Sequence, residues 1–178
     1  MKTISVIGLG NRGTEYMGFI KGFHSKKAKI VALCDIRQQA LDDISPLYKI
    51  PKEKQFISTD AFFSKGVISD ALIIATQDAS HYEITKAALE TGYKYILLEK
   101  PVSGTESEYK ELRDLAGEKG ALLIICHVLR YSNYYSRNKL WLGFRTPWKR
   151  FGTSAIGTGR KFGRSSKSKG INGGSVIT

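Results

Sequence analysis

The feature that most constrains this chain is the hexapeptide Gly8-Leu9-Gly10-Asn11-Arg12-Gly13 in its setting. It follows the apolar run 3–7 (TISVI) and opens a stretch, 14–23, whose Tyr16, Met17, Phe19, Ile20 and Phe23 recur at helical spacing. Three glycines alone mark only a turn. An apolar strand, then Gly-x-Gly-x-x-Gly, then a helix is a phosphate-binding junction. Gly8 allows the tight turn, Gly10 presents no side chain to a pyrophosphate, and Gly13 lets helix and strand pack closely. The start of the helix offers free N–H groups and about half a positive charge to a phosphate. With the glycines, Leu9, Asn11 and Arg12 are therefore taken as cofactor-binding.

The same alternation continues to about residue 135. Further apolar runs occur at 29–36, 70–75, 93–98 and 121–128, and a weaker one at 55–58. Helical stretches lie between them at 37–48, 80–91 and 105–119, the last two stopping at Gly92 and Gly120. A single helical turn is expected at 60–63, capped by Thr59 or Asp60. Strands apolar on consecutive residues and separated by helices predict a parallel sheet covered on both faces. With right-handed crossovers, the fold is a doubly wound α/β Rossmann sheet of strand order 3-2-1-4-5-6.

In such a sheet the ends of the strands share one edge, and polar residues gather there. Asp35 ends the second strand, 22 residues after Gly13 (35 − 13). A carboxylate there accepts hydrogen bonds from both adenosine ribose hydroxyls and repels a 2′-phosphate, which favours NAD. Arg37 keeps NADP open, because an arginine just after the strand can pair with a phosphate; Ile36 lies between the two. Asp35 as a helix cap is the competing reading, and glycine motif and spacing together argue against it.

Thr76 and Gln77, after the fourth strand, are placed over the cofactor cleft. His81 reads equally as a cofactor-side group and as a first-turn helix residue with a structural hydrogen bond. After the fifth strand comes Glu99-Lys100-Pro101. Lys100 is the candidate catalytic residue: partly desolvated in the crevice, a lysine can share the proton of a substrate hydroxyl. Glu99 would orient Lys100 or pair with another base, and Pro101 is a candidate cis proline. After the sixth strand, Arg130 is counted with the cofactor-side residues, whereas His127 and Tyr131 read better as structural.

GLGNRG, VALCDI, ATQDASHYE, LLEKP and HVLRY, in this order and spacing, resemble the glucose–fructose oxidoreductase/inositol 2-dehydrogenase (Gfo/Idh/MocA) family over residues 1 to about 135. The resemblance implies NAD(P)-dependent oxidation or reduction at a hydroxyl carbon of a sugar, cyclitol or related small molecule. It implies that Gly8, Gly10, Gly13 and Asp35 hold the dinucleotide, and that Lys100 contacts the reacting hydroxyl. It also implies a second α+β domain with an Asp/His pair for acid–base work and the oligomer interface. Residues 136–178 match no part of such a domain, and the three histidines fall at 24, 81 and 127.

Charge divides the chain at the same place. Of its 28 basic residues, 10 lie in 136–178, which hold none of the 16 acids; residues 1–135 carry 18 bases and 16 acids, a balance of +2. The overall +12 thus describes a nearly neutral domain with a basic, glycine-rich tail, and nucleic acid is not the expected partner of the folded part. Leu140, Trp141, Leu142, Phe144, Trp148 and Phe151 can form one amphipathic patch; from Gly152 no period persists, and that part is read as disordered or loosely attached. A truncation or reading-frame change near 135–138 is the expected origin of the tail, with weak or no turnover as its consequence. The alternative is a non-catalytic dinucleotide-sensing module whose basic tail meets an acidic partner. Loss of the second domain would expose an apolar face near the sixth strand, inviting self-association. No apolar run of spanning length occurs, the N-terminal run leads into glycines instead of a cleavage site, and Cys34 and Cys126 show no metal spacing. A cytoplasmic protein with two reduced, buried thiols is expected.

Overall fold

The computed structural model describes residues 1–127. They form β1 (Lys2–Ile7), α1 (Asn11–Phe23), β2 (Ala28–Cys34), α2 (Gln38–Tyr48), β3 (Gln55–Phe56), α3 (Thr59–Phe63), β4 (Ala71–Ile74), α4 (His81–Thr91), β5 (Tyr95–Glu99), α5 (Glu106–Glu118) and β6 (Leu122–Cys126). The six strands make one parallel sheet in the order β3-β2-β1-β4-β5-β6. This is the expected doubly wound topology. The chain leaves β1 toward β2 on one side and later places β4 on the other, so a crevice opens at the carboxyl ends of β1 and β4.

Several boundaries differ from expectation for identifiable reasons. The strand at 55–58 shrinks to the two residues of β3, because Ser58 turns out of the ladder to cap α3. That cap corrects the expectation of Thr59 or Asp60: the Ser58 hydroxyl accepts the Ala61 amide at 3.2 Å. At its start α1 takes in Asn11-Arg12-Gly13, so half of the glycine motif is helical. At the far end of the domain, α5 begins with a complete capping box, in which Thr105 accepts from the Glu108 amide and Glu108 accepts from the Thr105 amide. α4 ends at Gly92, whose φ of +108° is open to glycine at little cost.

Side chains alternate across the sheet and sort into two cores. On one face Ile7, Cys34, Leu72, Ile74, Leu98 and Ile125 pack under α3, α4 and α5. On the other, Val6, Leu33 and Ile73 pack under Met17 of α1 and Leu41 of α2. Full burial of such a side chain stabilises the fold by about 1.5–3 kcal/mol, which is what holds the strand ends, and the loops they carry, in register.

Candidate functional site

Gly8 and Gly13 are required where they stand. Gly8 has φ +92°, and a Cβ on it would lie 2.5 Å from the Ala75 carbonyl oxygen at the end of β4. A Cβ on Gly13 would lie 1.9 Å from the Gly8 oxygen, so α1 rests directly on the loop behind it. Gly10 differs: a Cβ there meets no atom within 4 Å, and the space in front of it is open. Gly10 is also the N-cap of α1, which has no side-chain cap and no acid in its first turn. The contrast with the capped α5 is informative. Here the amide donors at the helix start have no side-chain partner, and the space in front of Gly10 is open.

Asp35 lies beside this loop, its side chain only 6% exposed. Its Oδ2 accepts the Leu9 amide at 2.7 Å, and its Oδ1 accepts the Arg37 amide at 2.8 Å and Nε at 3.0 Å. Burial pushes this carboxyl up, but the hydrogen bonds from Arg37 and Leu9 outweigh it and hold it below the ordinary carboxylate range. Asp35 is therefore fastened to the glycine loop and does not cap α2, whose N-cap is Arg37. Ile36, 81% exposed, stands next to it at the mouth of the crevice. Just behind, burial and then the Asp35 charge raise the Cys34 thiol to about 12, which keeps it protonated.

The loop after β4 is tied to the loop after β5. The His81 ring is fully buried, with Nδ1 2.6 Å from the Pro101 oxygen and Nε2 3.2 Å from the Thr76 oxygen. Of its two sequence readings, the structural one describes this placement: the ring joins two backbones, and none of it is open to a ligand. The Lys100–Pro101 peptide is cis. Thr76 is half-buried and takes a hydrogen bond from Ser80, and Gln77 is exposed at the rim.

Glu99 is 5% exposed, and of its two sequence readings the pairing with another base describes its placement. Its Oε1 accepts from the Tyr16 phenol and lies 3.8 Å from Arg12 Nε, while Oε2 accepts only the Lys100 backbone amide, at 3.2 Å. Lys100 itself is exposed, which corrects the expected desolvation: the rim of the β5 loop has no cover among the described residues. Cys126 is half-buried, not buried, with its sulfur 2.7 Å from the Tyr16 oxygen. Tyr16 and Cys126 were not legible as site residues; the one signal was a hydroxyl on the apolar stripe of α1. Arg130 and Tyr131, like the whole basic tail, lie outside the described residues.

Glycine loop, Asp35, the Thr76 and Pro101 loops and Glu99 thus line one edge of the sheet. The model of the oxidoreductase family with an NAD-binding Rossmann fold, Gfo/Idh/MocA, matches residues 2–127. The chain belongs to this family. Among curated proteins it is similar to scyllo-inositol 2-dehydrogenase (NADP+) IolW of Bacillus subtilis, 38% identical over 64 residues, which are 36% of this chain and 18% of the relative. It is also similar to the oxidoreductase YfiI of the same organism, 43% identical over 73 residues, 41% of this chain and 18% of that one. Among solved structures it shares its fold with the WlbA dehydrogenase of Bordetella pertussis in complex with NADH and UDP-GlcNAcA (TM-score 0.70, 21% identity, 79% of this chain and 41% of that chain). The same holds for scyllo-inositol dehydrogenase of Lactobacillus casei with NAD(H) and scyllo-inositol (TM-score 0.69, 19% identity, 80% and 41%). The chain therefore covers under a fifth of those curated relatives and about two-fifths of those solved chains.

Proposed function

We propose that residues 1–135 bind a nicotinamide dinucleotide, NAD ahead of NADP, as the cofactor half of an oxidoreductase acting at a hydroxyl carbon of a sugar, cyclitol or related small molecule. The observation that carries this reading is the Asp35 carboxylate fastened to the Leu9 amide beside an open, uncapped helix start. Gly8, Leu9, Gly10, Asn11, Arg12 and Gly13 would receive the pyrophosphate. Asp35, with Ile36 and Arg37, would take the adenosine ribose, and Thr76, Gln77, Glu99, Lys100 and Pro101 would line the nicotinamide side, with Arg130 beyond. His81 acts behind them by holding two of these loops together. When bound, the nicotinamide accepts or donates the hydride.

Lys100 is the group proposed to contact the reacting hydroxyl and to exchange its proton at Nζ. Water reaches that side chain freely in the described structure, so we propose little turnover for the 178-residue chain alone, whatever its origin. The free thiols of Cys34 and Cys126 support a reducing, cytosolic setting, and no helix of the described residues is long and apolar enough to cross a membrane. The reading of a non-catalytic sensor rests on the basic tail, outside the described residues, and no described contact favours it.

Titration of the full chain with NADH, followed by nicotinamide fluorescence, tests the binding claim, and a panel of polyols with NAD tests turnover. Saturable binding with little turnover is expected. A well-folded sample that ignores NADH and NADPH at millimolar concentration overturns the first claim, and brisk polyol oxidation overturns the second.

A further inference from the structure

The glycine loop and the Lys100 loop follow β1 and β5, which β4 separates in the sheet. Two strand spacings are about 10 Å, beyond the reach of a backbone hydrogen bond, so a direct link between the two loops has to run through side chains. Arg12 and Tyr16 supply it. They stand four residues apart on α1, on one face of the helix, and both address the carboxylate of Glu99. The two contacts differ in kind. The Tyr16 phenol donates a hydrogen bond to Oε1. Arg12 Nε stays 3.8 Å from the same oxygen, too far for a hydrogen bond, while Nη1 of that guanidinium meets Glu15 at 2.5 Å. The attraction between Arg12 and Glu99 is thus one of charge alone, and the guanidinium can change partner without breaking a hydrogen bond to Glu99. On its other oxygen, Oε2, Glu99 accepts the Lys100 amide at 3.2 Å, the long end of the range for such a bond.

We propose that Arg12 is a positioning residue for Lys100: a diphosphate at the glycine loop draws its guanidinium off Glu99, and Glu99 then closes on the Lys100 amide. The proposal rests on the dinucleotide reading above. Arg12 is the second residue of α1, inside the glycine motif, so an anion against the helix start lies within reach of its side chain. A diphosphate carries more negative charge than one carboxylate and accepts a guanidinium by paired hydrogen bonds, which the present contact with Glu99 lacks. The buried carboxylate, short of its cation, then leans on its remaining donors, the Tyr16 phenol and the Lys100 amide, and hydrogen bonds to an ionised acceptor are the short, strong ones. Tyr16 holds Oε1, so the adjustment falls on Oε2 and on Lys100. A ligand shifts an arrangement only through contacts that differ between its two states, and here that contact is the Arg12–diphosphate pair. The consequence is an order of events: the diphosphate arrives first and sets the backbone from which Lys100 addresses a substrate hydroxyl.

ADP separates this coupling from direct contact. It carries the adenosine and the diphosphate but neither the nicotinamide nor its ribose, so on the proposed placement it touches the glycine loop and not Lys100. Amide proton–nitrogen correlation spectra of the isotopically labelled full chain follow Gly10 as the local reporter and Lys100 as the remote one. The expected result is a downfield movement of the Lys100 amide proton that saturates together with the Gly10 response, at the same apparent Kd. In Arg12→Ala, taken to ADP saturation as judged by Gly10, the Lys100 movement should be lost, and Glu99→Gln should lose it as well. Arg12→Ala places a strong helix former at an exposed helix position and decides the matter if Glu99→Gln does not fold. A Lys100 amide that stays in place while Gly10 saturates, or that still moves in Arg12→Ala, overturns the coupling and leaves the dinucleotide reading standing. ADP that moves neither amide at millimolar concentration overturns both.

Discussion

The Tyr16 phenol on α1 donates a hydrogen bond to the Glu99 carboxylate that ends β5, 83 residues away in sequence. A phenol has one proton and a carboxylate only accepts, so the contact with Cys126 is satisfied from the thiol, which donates to the phenol oxygen. Arg12, within the glycine motif, adds its guanidinium 3.8 Å from the same carboxylate. The glycine loop, the Lys100 loop and the end of β6 are thereby fixed to one another through Glu99 and Tyr16.

Tyr16→Phe deletes the donor and leaves a buried carboxylate short of a partner, which costs about 1–3 kcal/mol. Urea denaturation at neutral pH should show this loss. Burial above all, with the phenol's hydrogen bond to Glu99 and the charge of that carboxylate, raises the Tyr16 phenol above the ordinary tyrosine range. A raised folded-state value means that its stabilisation is complete below the unfolded value of about 10 and is lost as pH climbs beyond it. The wild type should therefore lose stability in that alkaline window through a component the Phe variant lacks. Parallel alkaline profiles for the two proteins would contradict it.

On the proposed function, the Asp35–Arg37 pair would govern which dinucleotide is preferred. Asp35→Asn removes the charged acceptor for the ribose hydroxyls, and a hydrogen bond to a charged group contributes roughly 1.5–3 kcal/mol, so NAD affinity should fall about tenfold or more. NADP should lose less, because the carboxylate that repels a 2′-phosphate has gone. Arg37→Ala should act the other way and weaken NADP more than NAD. Paired NADH and NADPH fluorescence titrations read both ratios, and equal losses for the two cofactors in either variant would count against this assignment.

Where the sequence was readable and where it was not has a physical basis. Strand order, helix positions and the placement of Gly8, Gly10, Gly13 and Asp35 depend on local pattern: an apolar period, a glycine spacing, a carboxylate at a strand end. These survive because neighbouring residues alone dictate them. The fastening of Glu99 to Tyr16 and Arg12, the use of His81 as a bridge between backbones, and the exposure of Lys100 depend on which loops meet across the sheet. No spacing within one segment encodes that. Ser58 was missed as the α3 cap for a smaller reason of the same kind, since three consecutive residues, Ser58, Thr59 and Asp60, are all good caps and only the path of β3 selects among them.

At the opposite edge of the sheet Asp70 joins β1 to β4, accepting the Thr3 amide and hydroxyl, each at 2.8 Å, and Lys2 Nζ at 3.4 Å. Chiefly through the Thr3 amide, these contacts hold its carboxyl at about 2. Because the folded value is depressed, the stabilisation is complete above the unfolded value, roughly 3.9, and is lost as pH falls through that value toward the folded one. Acid denaturation followed by circular dichroism should show this component in the wild type. Asp70→Asn should flatten the profile below pH 4 without altering dinucleotide affinity, since the residue is at the far end of the strands from the cradle.

Gly10 and Gly13 separate binding from folding within one motif. A methyl at Gly10 enters open space, so Gly10→Ala should leave the urea midpoint of the free protein near that of the wild type. The same methyl occupies the ground where a pyrophosphate would rest, so NADH affinity should fall by about tenfold or more, as expected when anion contacts worth roughly 1.5 kcal/mol or above are lost. At Gly13 a methyl would stand 1.9 Å from a backbone oxygen that cannot withdraw without moving β1 or α1. Gly13→Ala should therefore destabilise the fold itself, by about 1–3 kcal/mol as for other overpacked sites, and lower binding only as a consequence. Denaturation and titration of the two variants side by side measure the distinction. A Gly10→Ala protein that binds NADH like the wild type would show that no phosphate rests at this loop, whereas a Gly13→Ala protein of full stability would show that α1 does not press on β1 as described.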